Sequence, residues 1–226
     1  MDDKNPFYRL GLKSHSMSVP KIPSIIFDFG GVLLDWNPHH LYHRFFHDQS
    51  EIDRFLSEIN FPDWNLQQDK GRPFSQGVAE LSVKFPHYSH LIRAYHEYWE
   101  ESIVGPINGS VEILRRLKKA RYSIYGLSNW SAETFPIAYN KYDFFRLFDG
   151  IVISGEVKVT KPDPAIFEII LKLINRPAME CLFIDDSETN TSIAKKLGFA
   201  AIHFKSPDQL ELELKNLNIS GFMNFE

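Results

Sequence analysis

The chain has 226 residues, 43% of them hydrophobic and 24% charged, with a formal net charge of -4 at pH 7. That length accommodates one sizeable α/β core with an inserted module rather than two full domains, and the acidic balance lacks the basic surplus that marks a nucleic-acid-binding surface. No apolar run approaches the roughly 20 residues of a membrane span, so neither nucleic acid nor membrane is expected as a partner.

The opening residues MDDKNPFYRLGLKSHS lack the continuous apolar segment of a secretory signal, and a tail or leader is expected over residues 1–20. The one cysteine, Cys181, lies in the apolar run CLFI. It cannot form an intramolecular disulfide and reads as a buried strand residue in a reducing compartment, which makes the cytoplasm the expected location.

The first core element is the run Ile25-Ile26-Phe27, which stops at Asp28 and is followed by Gly30-Gly31. A buried strand feeding a sharp turn reads this way. From Asn37 to Ile103 the chain is rich in His, Phe, Tyr and Trp and has helical apolar spacing without a good strand, so residues 38–104 are expected to be a helical insertion, or cap. Within it Leu91, Ile92, Tyr95, Tyr98 and Trp99 fall at spacings near three and four and should form the packed face of one helix. The polar stretch Gln67 to Pro73 reads as a solvated turn between cap helices, whose Asp69 and Lys70 are the groups able to reach a substrate hydroxyl. Trp64, His39, His40 and His43 show no metal or catalytic spacing and are read as structural. Gly105-Pro106 marks the return to the core.

After Gly109 helix-like and strand-like pieces alternate: VEILRRLKKA, YSIYGL, SAETFPIAYN, DGIVI, PAIFEIILKLI, CLFID, TNTSIAKKLG, AAIHF and DQLELELKNL. Such alternation predicts a parallel sheet wrapped by helices through right-handed crossovers, hence an α/β, three-layer Rossmann-like core over residues 21–37 and 105–226. Ligands of such sheets sit beyond the carboxyl ends of the strands.

Four segments place chemistry at those ends. Asp28 closes the first strand with flexible backbone after it. Ser128-Asn129 follows YSIYGL and precedes a helix whose free N–H groups favour an anion. In Lys161-Pro162-Asp163-Pro164, Pro162 keeps Lys161 out of helical geometry, Asp163 can cap and Pro164 suits the first helical position, which fixes a cation ahead of a helix start. Asp185-Asp186 ends the run CLFI. Adjacent strand residues face opposite ways, so one Asp should face the site and the other support it; two carboxylates at one strand end repel each other unless a cation or hydrogen-bond donors compensate, and a divalent metal is the natural partner.

The order Asp, Ser-Asn, Lys-Pro, Asp-Asp, each at a strand end, resembles the four motifs of the haloacid dehalogenase-like hydrolases, over about residues 24–217. The insertion between Asp28 and Ser128 resembles the cap of the subgroup that carries it between the first and second motifs. FDFGGV and FIDDSETN are most similar to bacterial phosphatases of sugar phosphates, including glucose 1-phosphate. The resemblance implies a magnesium-dependent phosphatase of a small phosphorylated metabolite in which Asp28 attacks phosphorus and forms an aspartyl-phosphate. Magnesium would take the carboxylates of Asp28 and Asp186, the backbone carbonyl of Gly30, phosphate and waters. Asp185 is then the supporting acid, though the two could exchange roles. Ser128 and Asn129 would bind phosphate oxygens and Lys161 would balance the negative charge.

One departure stands out: many phosphatases of the family have a second Asp two positions after the nucleophile, as general acid and base, and here that position is Gly30. General acid-base assistance is worth about 10²- to 10⁴-fold, so a leaving group needing little protonation, such as an anomeric phosphate, is the expected preference. Two rivals follow from the same residues. A carbon-halogen hydrolase also uses an aspartate nucleophile and tolerates Gly30, but the pair Asp185-Asp186 is costly beside a carboxylate substrate. A non-catalytic phosphometabolite-binding protein is compatible with Gly30, but has no need of an attacking carboxylate.

Overall fold

The structure, a computed structural model, describes residues 22–219 together with 221 and 222; the tail or leader expected over 1–20 lies outside the described residues. Among the described residues seven strands run β1 (Ser24–Phe27), β2 (Leu34–Trp36), β3 (Ile103–Pro106), β4 (Ser123–Ser128), β5 (Gly150–Ile153), β6 (Cys181–Asp185) and β7 (Ala200–His203). The α-helices are α1 (Pro38–Tyr42), α2 (Gln49–Glu58), α3 (Phe61–Asp69), α4 (Phe74–Lys84), α5 (Ser89–Glu97), α6 (Asn108–Lys119), α7 (Phe135–Lys141), α8 (Ser154–Val157), α9 (Pro164–Ile174), α10 (Glu188–Lys196) and α11 (Pro207–Asn216).

Five strands form one parallel sheet in the order β5-β4-β1-β6-β7. The central strand SIIF is buried on both faces, which is why its sequence is continuously apolar rather than alternating. The period of two divides its side chains between two cores. Ile25 and Phe27 join Ile124, Leu182 and Ile184 on the side covered by α6 and α11. Ile26 joins Leu127, Cys181 and Phe183 on the side covered by α9 and α10. The result is the three-layer α/β arrangement expected. Cys181 is free and buried at the start of β6, where burial pushes its thiol up to about 11.

Register brings the strand ends level. Phe27 pairs with Gly126 on one side and Ile184 on the other, so Asp28, Leu127 and Asp185 come next in line at the same edge. The Asp28 N–H still donates to the Ile184 carbonyl at 2.9 Å, holding the residue after the strand in sheet geometry.

The helices α1 to α5 all lie between β2 and β3, which pair antiparallel, Leu34 opposite Pro106. This two-stranded ribbon was not expected, since its strands are three and four residues long and one holds the breaker pair Gly105-Pro106. The expected single helix face over Leu91 to Trp99 also needs correction. Leu91, Ile92 and Tyr95 are buried on α5, but the helix stops at Glu97. Tyr98 is exposed under the Arg44 guanidinium, and Trp99 reaches the core from a separate 3-10 turn. Among the described residues no helix is long and apolar enough to cross a membrane.

Candidate active site

Asp28, 8% exposed, stands at the end of the central strand with its Oδ1 accepting the Phe29 N–H at 2.7 Å. Its Oδ2 meets Lys161 Nζ at 2.8 Å. The same ammonium donates to Asp185 Oδ2 at 2.6 Å and to the Leu127 carbonyl at 2.9 Å. Lys161 is therefore a buried cation, 3% exposed, with acceptors for all three of its N–H bonds. Its backbone is clamped by Asn129, whose Nδ2 donates to the Lys161 carbonyl at 3.0 Å and whose Oδ1 accepts the Lys161 N–H at 2.8 Å. The following Lys161–Pro162 peptide is cis, and Asp163 caps α9 by accepting from Ala165 N, with Pro164 at the first helical position.

The adjacent acids differ sharply in their surroundings. Asp185 is fully buried and saturated: Lys161, the Ser187 N–H at 2.8 Å and the Asn190 amide at 3.0 and 3.1 Å all donate to it. Asp186 is the exposed member, bonded to its own backbone N–H. Gly31 makes room for it: φ is +72° there, and a Cβ would collide with Asp186 Oδ2. Carboxylate oxygens of Asp28, Asp185 and Asp186 all lie within 4.8 Å of one another. One ammonium does not neutralise three carboxylates. Burial pushes Asp28 up to about 7, with Asp185 and Asp186 adding to the rise and Lys161 opposing it. Burial and Asp185 likewise raise Asp186. Lys161 is held above the usual lysine value because Asp185 and Asp28 outweigh the burial that would lower it.

These groups open on a cavity of about 310 Å³. Asp28, Gly30, Ser128, Asn129 and Asp186 line its core side, so the structure brings those predicted positions to one wall; Lys161 and Asp185 sit immediately behind. Asn129 is largely occupied by Lys161, which leaves one amide hydrogen for a ligand. The opposite wall comes from the helical insertion and carries Asn65, Asp69, Phe74 and Tyr95. Trp36, Trp99 and Trp130 complete the aromatic lining.

Residues 67–73 are not the solvated turn expected. Gln68 is fully buried, donating to the Trp64 carbonyl at 2.7 Å and accepting from Arg72 Nε at 2.7 Å. Asp69 is half-buried in the cavity wall, where its carboxylate accepts from Asn65 Nδ2 at 3.1 Å and from the Ser131 N–H. Burial pushes it up to about 7, and the negative charge of Asp28 adds to the rise. Lys70 is exposed and takes no part in the lining. Trp64 is a core residue donating to the Gly77 carbonyl, while His39 and His40 pair with Asp53 and Asp35.

Trp130, Ser131 and Thr134 were missed by the sequence reading, although they follow directly on Ser128-Asn129 at the end of β4 and their contiguity was the available signal. Trp36, Asn65 and Phe74 gave no comparable signal.

A family model described as haloacid dehalogenase-like hydrolase matches residues 22–198. The chain belongs to the haloacid dehalogenase-like hydrolases. This hydrolase is 26% identical over 196 residues to sesquiterpene phosphatase astK of Aspergillus oryzae, an alignment covering 85% of the chain and 94% of that protein. It is 34% identical over 107 residues to drimenol cyclase drtB of Aspergillus calidoustus; that match takes in 47% of the chain and spans only 20% of the cyclase. Among solved structures, a haloacid dehalogenase family enzyme of Bacteroides thetaiotaomicron in complex with magnesium and inorganic phosphate shares the fold, with a TM-score of 0.62, 23% identity and coverage of 82% and 95% of the two chains.

Proposed function

We propose that this hydrolase is a magnesium-dependent phosphatase of a small phosphorylated metabolite, acting through an aspartyl-phosphate at Asp28. The observation that carries the reading is the charge imbalance at the strand edge: three carboxylates gathered within 4.8 Å around one buried ammonium. A hard, oxygen-preferring divalent cation fits that donor set. Asp28 and Asp186 would hold it with the Gly30 carbonyl, and magnesium supplies there a Lewis acid that offsets the charge of phosphate and nucleophile. Asp185, with its oxygens already engaged by Lys161, Ser187 and Asn190, supports from behind by fixing the ammonium.

The chain's own residues then have distinct tasks. Lys161 holds the Asp28 carboxylate in one orientation and favours its charged form against burial. Ser128 and the remaining amide hydrogen of Asn129 offer donors to phosphate oxygens. Asp28 attacks phosphorus in line with the departing oxygen, and water later releases phosphate from the aspartyl ester. The acidic group argues against a carbon-halogen substrate bearing its own carboxylate. A cytoplasmic location remains part of the proposal, and subcellular fractionation checks it.

Two leaving groups are in play. Gly30 favours the anomeric phosphate of a sugar, an ester that departs with little protonation. The five aromatic side chains of the cavity wall favour a more apolar group, and the similarity to a sesquiterpene phosphatase supports that second reading. The test is phosphate release from sugar 1-phosphates, sugar 6-phosphates and isoprenyl monophosphates, with and without magnesium. Metal-dependent release that vanishes in Asp28→Asn is the expected result. Halide release without metal would replace the reading with dehalogenation, and tight phosphate-ester binding without any turnover would leave a binding protein.

A further inference from the structure

An alkoxide leaving from phosphorus needs a proton, and the water that later attacks must lose one. Among the described residues the titratable groups lining the cavity are Asp28, Asp186, Asp69 and Tyr95. Asp28 is the attacking group and Asp186 belongs to the acidic trio. Tyr95 is held well above the phenol range by its burial, so it does not ionise near neutrality and is unsuited to take the proton from water. Asp69 remains. It stands outside the trio of carboxylates suited to a cation, and among the described residues it has no cationic partner. Its side chain is fixed by Asn65 and the Ser131 N–H, and its backbone carbonyl accepts from Ser154 Oγ at 2.6 Å, which ties the end of α3 to the edge of the sheet.

Resting on the phosphatase reading above, we propose that Asp69 is the general acid and base of this hydrolase, reaching the reacting centre from the helical insertion. In the first half-reaction an Asp28 oxygen bonds to phosphorus, the bond to the ester oxygen breaks with its electron pair, and that oxygen takes the Asp69 proton. Alcohol, phospho-Asp28 and an Asp69 carboxylate result. In the second, Asp69 removes a proton from water as the water oxygen bonds to phosphorus. The bond to Asp28 breaks, its electrons return to the Asp28 carboxylate, and phosphate leaves with Asp69 again protonated.

The surroundings suit such a role. Burial raises Asp69 to about 7, so both forms are populated near neutral pH, where acid-base assistance is most effective. Asp28 and Tyr95 are the ionisable groups coupled to it. The charged side chains of α2, α4 and α8, the helices packed on α3, are all exposed, as is Glu133 beside Ser131.

The test compares p-nitrophenyl phosphate, whose leaving group departs unprotonated near neutral pH, with an alkyl phosphate, in wild type and Asp69→Asn. The variant should lose about 10²- to 10⁴-fold on the alkyl ester. With the nitrophenyl ester it should give a burst of nitrophenol equal to the enzyme, followed by slow turnover as phospho-Asp28 accumulates. Gly30→Asp should restore part of the alkyl-ester rate to Asp69→Asn, because a Cβ at position 30 meets nothing nearer than Trp36 Cβ at 4.0 Å and φ there is outside the left-handed region. Equal loss on both esters, without burst or rescue, would reduce Asp69 to a structural residue. Should the variant not fold, wild type decides: single-turnover cleavage of the alkyl ester must fall above pH about 7 relative to the nitrophenyl ester, and a constant ratio overturns the proposal. Absence of phosphate release from any ester by wild type sinks the phosphatase reading itself, and this inference with it.

Discussion

The two walls of the cavity are built on opposite plans. On the core side the buried charges are over-determined: Lys161 has three acceptors, Asp185 has donors on both oxygens, and Asn129 brackets the lysine from both sides of its peptide. On the insertion side the surface is mostly aromatic, and a single carboxylate, Asp69, sits among Phe74, Tyr95 and Trp99 with its charge unpaired. A wall that must stabilise a defined anion needs donors and charges fixed before the substrate arrives. A wall that selects the rest of the molecule works through shape and apolar area. The difference teaches where substitutions should abolish the reaction and where they should redirect it.

The largest effect should come from the core wall. Asp28→Asn removes the attacking carboxylate, and steady-state turnover of every ester in the panel should fall on the order of 10⁴-fold or more. Uniform loss across substrates is the signature; retention of activity on any one of them would break the division between the two walls.

Next is Lys161→Met. It leaves Asp28 and Asp185 buried without their cation, and breaking a buried pair from one side costs about 3–5 kcal/mol. Denaturant unfolding should show a drop of that size in metal-free protein, and Asp185→Asn added to it should recover part of the loss. Full stability in the single variant would mean that the ammonium is not the keystone its three short contacts indicate.

A smaller effect, with a definite sign, comes from the insertion wall. Asp69 has its folded pKa raised from 3.8 to about 7, so the folded protein binds the proton more tightly than the unfolded chain. Asp69 therefore disfavours folding increasingly as pH rises from about 4 to about 7, and no further above that. In metal-free protein Asp28 adds a contribution of the same sign. The wild-type melting temperature in chelator should decline over that range, and Asp69→Asn should flatten part of the decline. Parallel curves for the two proteins would show that Asp69 is not desolvated as described.

How much of this was legible in the sequence follows the same division. Most of the core wall could be read because its groups end strands whose apolar runs stop abruptly: Asp28 after SIIF, Asp185-Asp186 after CLFI, Ser128 after YSIYGL. Lys161, expected at a strand end too, instead lies past α8 in the segment leading into α9, and it is Asn129 that draws its backbone to the sheet edge. Parallel register then does the assembling, setting Phe27 opposite both Gly126 and Ile184; the alternating pattern implied a parallel sheet but not this strand order or pairing. The insertion wall could not be read that way. The helical period tells which residues are buried, yet a buried aromatic lining a cavity and one filling a core leave the same trace, as Tyr95 and Trp99 show. Residues 67–73 misled for a related reason. Their polar composition matches a solvated turn, but Gln68 finds its partners in Trp64 and Arg72, and Asp69 finds its own in Asn65 and Ser131, none of which local sequence reveals.

The smallest expected effect separates two neighbours that the sequence could not rank. Asp69 and Lys70 are adjacent and both polar, but the end of α3 sends one into the cavity wall and leaves the other in solvent. Lys70→Ala removes an exposed charge that has no part in the lining, so stability should change by no more than about 0.5 kcal/mol and turnover of each ester by less than about twofold. A lysine next in sequence to a lining residue also acts at a distance on a phosphate dianion, and that contribution is screened over about 8 Å at physiological salt. Any effect of Lys70→Ala should therefore be confined to KM and fade as salt is raised, whereas the effect of Asp69→Asn should lie in kcat and be indifferent to salt. A salt-independent loss of kcat in Lys70→Ala would place the lysine, and not the aspartate, at the reacting centre.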